Sequence, residues 1–203
     1  MARNVFISFR FSDGSEYKEK LVRFFKSSED VINYSEDTDR SHMNAETIRR
    51  HLYNKLKNTS VTIALLTPNA INYKKNYFGN IDDWTYDEVR YSLENRENNL
   101  CNGLIAVYTP EAKKYLIENE GETITIKNFE HLTRKNMFNI KTIYKHNKKE
   151  NIYDANLDHY CTLVSWDDFI SNINFYIEKA IYKRERKEQY DLTVRMQNNR
   201  SSF

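Results

Sequence analysis

The sequence predicts an α/β fold in which a parallel sheet carries helices on both faces. Three short runs, Val5–Phe9, Val61–Leu66 and Gly103–Tyr108, are almost continuously apolar, which is typical of strands buried on both faces of a sheet. Between these runs, apolar residues recur at steps of three and four, as they do on the buried side of a helix. Alternation of strand and helix at these lengths favours an open parallel sheet with right-handed crossovers.

The first half of the chain is predicted to supply three strands and three helices. The strands are Val5–Phe9, the weaker run Val31–Tyr34, and Val61–Leu66. The helices bury Tyr17, Leu21, Phe24 and Phe25, then Ile48, Leu52 and Leu56, and finally Tyr86, Val89 and Leu93. Asp13 or Ser15 can cap the first helix, Asn44 can cap the second, and the third is predicted to start at Asp82 or Asp83. The polar stretch 35–44 is predicted to be a long loop.

The second half breaks this alternation after the fourth strand, Gly103–Tyr108. Residues 111 to about 160 are polar and rich in Asn, Lys and Glu, so we interpret them as an insertion, with strand-like pieces at 122–126 and 140–144 that favour a small hairpin. The alternation returns with a fifth strand, Cys161–Ser165. A capping-box-like start at residues 165–168 precedes a helix predicted to extend from about 167 to 195. Residues 1–203 are predicted to form a single domain.

Composition places few limits on function. The 203 residues include 31 Lys and Arg against 29 Asp and Glu, a formal net charge of +2, so no global field steers the protein towards nucleic acid or a membrane. No apolar run approaches the roughly 18 residues of a membrane span. The two cysteines, Cys101 and Cys161, lack a metal-ligand or C-x-x-C spacing and are predicted to be buried reduced thiols. We therefore expect a cytoplasmic protein that binds neither membranes nor nucleic acid.

Several enzyme classes are disfavoured by what the sequence lacks. The four glycines form neither a G-x-G-x-x-G nor a G-x-x-x-x-G-K pattern, which argues against Rossmann dehydrogenases and P-loop NTPases. The five histidines show no paired metal spacing, and no serine lies in a nucleophile elbow. A phosphoacceptor receiver domain needs an aspartate at the end of its third strand, where this chain has Leu66, Thr67 and Pro68. No metal site is expected.

The most suggestive spacing is that from Trp84 to Glu88, at the start of the third helix. The two residues are four apart, so a helix places an indole and a carboxylate on the same side, one turn apart. Because Tyr86, Val89 and Leu93 anchor the neighbouring side, Glu88 is predicted to lie at the edge of a packed face, a position that suits a working carboxylate. The spacing alone leaves an alternative open, in which Glu88 is an ordinary solvated glutamate and Trp84 an ordinary packing residue.

Three features together resemble a TIR domain. They are the first strand with its exit, Val5–Arg10, followed by Asp13; a five-strand flavodoxin-like alternation; and Trp84-x-x-x-Glu88 on the third helix. More narrowly, they resemble the TIR-like proteins of bacterial Thoeris antiphage systems, the ThsB type. The similarity covers residues 3–108 clearly and 161–182 loosely. It implies a five-stranded parallel sheet in the order 2-1-3-4-5, with the insertion after strand 4.

The resemblance also implies a site. In the family, the end of the first strand and the loop after it line a nucleotide pocket, and a helix glutamate is catalytic. The matching residues here are Phe9, Arg10, Phe11 and Asp13 for substrate binding, Trp84 for the pocket wall and Glu88 for catalysis. Read from the residues alone, Phe9 could be a core residue and Arg10 a solvated loop residue. The chain departs from the family at Thr85, where a Cys often follows the tryptophan.

The activity implied by the resemblance is cleavage of the nicotinamide–ribose bond of NAD. The enzyme would be an NAD glycohydrolase or ADP-ribosyl cyclase that makes a cyclic ADP-ribose-type second messenger, with NAD as substrate and no cofactor. Expected partners are a phage-derived trigger, a downstream effector that senses the product, and a second copy in a homo-oligomer, with the loop 35–44 gating the pocket. The alternatives are a non-catalytic TIR-like scaffold and a nucleotide-sensing module that acts through protein contacts. Cyclic and linear products both stay open.

Overall fold

The computed structural model describes residues 3–26, 31–33, 45–96, 99–120, 123–149 and 152–196. Its strands are β1 Arg3–Ser8, β2 Val31–Asn33, β3 Val61–Leu66, β4 Gly103–Tyr108, β5 Ile117–Glu120, β6 Thr123–Ile126 and β7 Cys161–Ser165. Its helices are α1 Phe11–Lys26, α2 Ala45–Leu56, α3 Trp84–Leu93, α4 Lys113–Leu116, α5 Leu132–Lys135, α6 Trp166–Ser171 and α7 Ile173–Glu185. Short 3-10 turns lie at Thr142–Tyr144 and Lys187–Gln189.

The main sheet is parallel throughout, and its strands follow the order β2-β1-β3-β4-β7. The predicted α/β class, a parallel sheet with helices, is confirmed. The chain leaves β1 to one side to form β2 and then returns to the other side to form β3. The carboxyl ends of β1 and β3 therefore flank the point at which the strand order reverses, where open α/β sheets usually bind their ligands.

The two faces of the sheet bury different helices. On one face, Val5, Ile7 and Phe9 pack with residues of α1 and α7. On the other, Phe6 packs with Leu52 of α2, and α3 packs against β3 and β4. Because side chains alternate along a strand, Ser8 and Arg10 follow Phe6 and are directed towards the α2 and α3 face. This alternation decides which residues at the exit of β1 can reach α3.

The segment between β4 and β7 is packed onto the α3 side of the sheet. Its Leu116, Phe129 and Leu132 belong to the same apolar cluster as Val89 and Leu93 of α3. The hairpin predicted here from 122–126 and 140–144 is formed instead by β5 and β6, which are antiparallel. Glu122 lies outside the described residues. The prediction of a strand at 140–144 was wrong, because the chain makes one isolated bridge at residue 140 and then enters a 3-10 turn.

The C-terminal helix is shorter than the sequence predicted. Asn172 leaves helical geometry, with φ −140° and ψ 37°, so α6 and α7 are separate, and α7 ends at Glu185 and not near residue 195. The chain then returns to the body. Tyr190 is buried, forms a bridge with Ile140 and donates its hydroxyl to the carbonyl of Leu157 at 2.7 Å. Burial of this ring is incompatible with a helix that projects into solvent.

Further expectations concern the two cysteines, the caps of the first two helices and membrane spans. Cys101 and Cys161 are free and buried, as predicted. Helix α1 begins at Phe11, so Asp13 lies in its first turn and the predicted capping by Asp13 or Ser15 was wrong. Asn44 and the loop 35–44 lie outside the described residues. None of the helices in the described ranges combines the length and apolar character that a membrane span requires.

Lys183 on α7 generates a prediction about stability. Its ammonium group is fully buried and donates to Thr162 Oγ1 at 2.6 Å, and burial lowers its pKa to about 7. The unfolded chain keeps this proton up to a pKa of about 10.5. Between these two values the unfolded state binds more protons, so the stability of the wild type rises with pH across that window.

We expect Lys183→Met to raise the free energy of unfolding at pH 7 and below, by an amount on the order of a few kcal/mol. The advantage should shrink as pH rises from 7 towards 10.5, because the amine of the unfolded wild type then loses its proton at less cost when the chain folds and buries it neutral. Urea unfolding at a series of pH values measures both effects. Lys179→Met, one turn earlier and partly exposed, is the control. A pH-independent difference between Lys183→Met and wild type would contradict the prediction.

Candidate functional site

Glu88 lies on the buried side of α3, at the carboxyl edge of the sheet. Its side chain is only 7 % exposed, and Ser8 Oγ donates a hydrogen bond to Glu88 Oε2 at 2.6 Å. Ser8 is the last residue of β1, so the contact sits where the strand order reverses. The alternative of a solvated surface glutamate was wrong. A buried carboxylate held by a hydroxyl is positioned by the fold and cannot swing freely.

The backbone behind Glu88 is anchored by a buried polar chain. Ser92 Oγ lies 2.7 Å from the Glu88 carbonyl oxygen, to which it donates, and 2.7 Å from Thr62 Oγ1 of β3. Asn102 Nδ2 in turn donates to Thr62 Oγ1 at 2.9 Å. Small polar residues at these positions let α3 approach β3 closely while every link stays hydrogen-bonded. Helix α3 is thereby fixed to the sheet one turn beyond Glu88.

The start of α3 is fixed by Asp83. This residue is the N-cap, and its Oδ1 accepts hydrogen bonds from Thr85 N at 3.1 Å and Thr85 Oγ1 at 2.7 Å. Its Oδ2 accepts from Lys74 N at 2.7 Å and forms an ion pair with Arg10. A carboxylate at this place also complements the positive end of the helix dipole. The sequence marked Asp83 as a helix start but did not indicate its pairing with Arg10.

Arg10 is engaged in the fold. Its guanidinium is buried against Asp83, and its Nε atom makes no hydrogen bond with the described part of the chain. The alternative that made Arg10 a solvated loop residue was wrong. Its predicted contact with a pyrophosphate stays a prediction, and in this conformation it would require exchange of one anionic partner for another.

Phe9 and Phe11 differ in accessibility. Phe9 is buried in the core formed with α1 and α7, on the face of the sheet opposite α3. Gly14 keeps this packing close, since a Cβ there would lie 3.3 Å from Phe9 Cβ. Phe11 is partly exposed, with its ring centroid 4.7 Å from that of Phe9. Only Phe11 of this pair presents a ring that a ligand could reach without rearrangement of the core.

Asp13 and Trp84, the last two predicted site residues, lie in the first turns of α1 and α3. Both carboxylate oxygens of Asp13 are used by the turn after β3, through Thr67 Oγ1 at 2.7 Å and Asn69 N at 2.9 Å. Trp84 opens α3 and is 37 % exposed. It lines a 390 Å³ cavity on the side of α3 that carries Asp87 and Arg90. Asp13 therefore joins the first turn of α1 to the turn after β3, and Trp84 offers an accessible ring.

Two aromatic residues near Asp83 were missed by the sequence reasoning. The rings of Tyr73 and His131 are stacked with centroids 4.3 Å apart, and Tyr73 Oη accepts a hydrogen bond from Leu132 N at 3.1 Å. Burial lowers the pKa of His131 to about 3; nearby Asp83 acts in the opposite direction and Arg10 in the same one. The ring is therefore neutral at physiological pH. No local pattern in the sequence indicates this contact, because Tyr73 and His131 are 58 positions apart.

The assembled residues suit organic acid–base or electrostatic chemistry. Within the described ranges, no group of three or more His, Cys, Asp and Glu side chains is arranged to hold a metal ion. The site brings together Ser8 and Arg10, at the end of β1 and just after it, with Asp83 and Glu88, at the cap of α3 and within it. Phe11 and Trp84 are partly exposed residues at the starts of α1 and α3. Phe9 is held in the core, away from Glu88.

The Arg10–Asp83 pair generates a prediction about stability. Arg10→Ala and Asp83→Ala should each cost about 3 kcal/mol or more, because either change leaves a buried partner charge uncompensated. The double variant should be more stable than the sum predicts, with a coupling of about 2 kcal/mol measured by chemical denaturation. The partly exposed pair Arg3–Glu178 is the matched control and should couple by less than about 1 kcal/mol. Additive effects at Arg10 and Asp83 would contradict a structural role for this ion pair.

The residues of the candidate site lie in a part of the chain that matches a known protein family. A family model described as "Thoeris protein ThsB, TIR-like domain" matches residues 6–114, which is more than half of the chain. The matched range contains the second half of β1, all of α3 and the four residues Ser8, Arg10, Asp83 and Glu88. The chain therefore belongs to the family of Thoeris ThsB proteins with a TIR-like domain.

Proposed function

We propose that this protein cleaves the nicotinamide–ribose bond of NAD and releases a cyclic ADP-ribose-type second messenger in bacterial antiphage defence. The observation that carries the proposal is the buried Glu88 carboxylate, held by Ser8 at 2.6 Å at the carboxyl edge of the sheet. Membership of the ThsB family supports it. The proposed activity is that of an NAD glycohydrolase or ADP-ribosyl cyclase, with NAD as substrate.

The proposed role of Glu88 is electrostatic. Nicotinamide leaves as a neutral molecule, so the ribose carbon develops positive charge in an oxocarbenium-like transition state. A carboxylate fixed in a site shielded from water stabilises such charge more strongly than one in solvent, and it needs no reorganisation during the reaction. Ser8 contributes by fixing one oxygen of the carboxylate. Capture of the cation by water gives ADP-ribose, whereas capture by a nitrogen of the substrate gives a cyclic product.

Substrate binding is proposed to use the accessible rings and the cation at the exit of β1. Phe11 and Trp84 present partly exposed rings on which adenine or nicotinamide could stack. Arg10 is the proposed pyrophosphate partner, in exchange for Asp83. Asp13 fixes the first turn of α1, which begins at Phe11, to the turn after β3, and Phe9 supports the packing beneath Phe11. No cofactor or metal takes part in this scheme.

Control by a phage-derived trigger is part of the proposal. The segment 111–160 reaches the site through His131, which stacks on Tyr73 close to Asp83. A trigger that binds this segment could therefore act on the start of α3. We propose a cytoplasmic enzyme whose product is sensed by a downstream effector. The gating role of residues 35–44 stays a prediction, because these residues lie outside the described ones.

Replacement of the carboxylate tests the proposal most directly. Glu88→Gln keeps the volume and a hydrogen-bond acceptor for Ser8 but removes the charge, so we expect a loss of NAD cleavage of at least about 100-fold with the melting temperature nearly unchanged. Nicotinamide release is followed with purified protein, with and without extract from phage-infected cells. Glu94→Gln is the control, because Glu94 follows α3 and pairs with Arg90. Wild-type turnover by Glu88→Gln under activating conditions would exclude the catalytic assignment.

Ser8 is expected to act as a positioning residue. Ser8→Ala removes the donor to Glu88 without a change of backbone, so we expect kcat to fall by about tenfold while KM for NAD changes little. Ser8→Thr keeps the hydroxyl and should recover part of the lost rate. Steady-state kinetics of the three proteins provide the test. A rise in KM alone would assign Ser8 to substrate binding instead.

A non-catalytic scaffold is the second candidate. The burial of Glu88 and the engagement of Arg10 by Asp83 favour it, since both residues also have structural roles. The two functions differ in what Glu88→Gln does to phage resistance in cells. A scaffold keeps full resistance with this variant, whereas the proposed enzyme loses it.

A further inference from the structure

The loop between β3 and α3 carries two exposed aromatic side chains at its tip. Tyr77 is 95 % exposed and Phe78 is 82 % exposed, and their ring centroids lie 5.5 Å apart. We name residues 74–82 the aromatic hairpin. Two adjacent aromatic rings in water carry a substantial hydrophobic cost, which a binding partner would remove.

The aromatic hairpin has a defined local structure. Lys75 and Ile81 form an antiparallel bridge, and Asn76 Oδ1 accepts hydrogen bonds from Phe78 N and Asn80 N, both at 3.0 Å. Gly79 takes a φ of +76°, which favours glycine at this turn. The rings are thus held outward by the backbone, and a partner would not have to order this turn on binding.

An acceptor of matching character lies elsewhere on the same chain. A 440 Å³ cavity between the β5–β6 hairpin and the start of α6 is lined by Ile117, Ile124 and Trp166 together with Asp167 and Asp168. Ile124 is 69 % exposed, so this cavity also presents apolar surface to water. The cavity is therefore apolar with an acidic margin, although Lys113 lies there as well.

The charges beside the two surfaces are complementary. Lys74 and Lys75 lie on the first arm of the aromatic hairpin, between its base and its tip; both are exposed, and Lys75 also pairs with Glu130 at 2.8 Å. The exposed residues Asp167 and Asp168 stand at the cavity. We propose that the aromatic hairpin of one copy of this chain docks into this cavity of a second copy, with Tyr77 and Phe78 against Ile124 and Trp166.

This contact bears on the candidate site without depending on the proposed reaction. The base of the aromatic hairpin is joined to the start of α3, through Lys74 N to Asp83 Oδ2 at 2.7 Å and Asp82 N to Lys74 O at 2.9 Å. Docking at the tip therefore acts on the residue that caps the helix of Glu88. The association itself is measured without NAD, so failure of the contact and failure of the catalytic proposal are distinguishable.

The test is sedimentation velocity of the full chain over a range of concentrations. We expect wild type to associate with rising concentration, and Tyr77→Ser/Phe78→Ser to weaken association by about tenfold or more. Ile124→Lys/Asp167→Lys should weaken it equally, because it removes apolar contact and places positive charge opposite Lys74. Ile143→Ser, at an exposed apolar residue that belongs to neither surface, is the control and should associate as wild type. All the altered side chains are exposed, so the fold should persist.

Mixing the two variants separates this contact from any other. The hairpin variant keeps an intact cavity and the cavity variant keeps an intact hairpin, so an equimolar mixture should form dimers that neither variant forms alone. Lys74→Glu should weaken association, and Asp167→Lys should restore it by reversal of the charges. A wild type that stays monomeric at all concentrations, or a double variant that associates as tightly as wild type, would overturn the proposal. So would a mixture that stays monomeric.

Discussion

The geometry of the site depends on the buried carboxylate of Asp83. Four groups share it: the guanidinium of Arg10, the amide of Lys74, and the amide and hydroxyl of Thr85. These come from the exit of β1, the base of the aromatic hairpin and the first turn of α3. A buried charge is tolerated only when its bonds are nearly complete, so loss of one partner strains the others. The three segments are therefore fixed relative to one another by one side chain.

The position of Glu88 follows from that constraint together with the alternation along β1. Ser8 and Arg10 are two residues apart and are directed to the same face of the sheet, whereas Asp83 and Glu88 are five residues apart along α3. The Arg10–Asp83 ion pair fixes where the helix begins. The Ser8–Glu88 hydrogen bond fixes the position of the glutamate against the sheet. The polar chain through Ser92 anchors the helix beyond Glu88. Helix α3 is therefore attached to the rest of the fold both at its start, through Asp83, and one turn beyond Glu88, through Ser92.

The sequence predicted the features that depend on local pattern. Apolar runs located the four longer strands, β1, β3, β4 and β7, and the spacing of Val89 and Leu93 located α3, because those signals arise from which faces are buried. It missed the Ser8–Glu88 and Tyr73–His131 contacts, which join residues 80 and 58 positions apart. The charged segment after residue 183 was predicted to be an exposed helix. One buried aromatic residue, Tyr190, is not enough to reveal in the sequence that the chain turns back to the body. Long-range pairing decides these cases.

The family match ends at residue 114, but support for the site comes from beyond that residue. His131 stacks on Tyr73 next to Asp83, and the tail contacts α3 through Met196 N, which donates to Tyr86 Oη at 3.3 Å. Both contacts are made to the first turns of α3 or to the loop before it, not to Glu88 itself. A displacement of the later segments would therefore act on the start of α3 and on the loop before it. Since Asp83 holds the start of the helix, the part of the chain outside the family match can alter the placement of Glu88 without a contact to substrate.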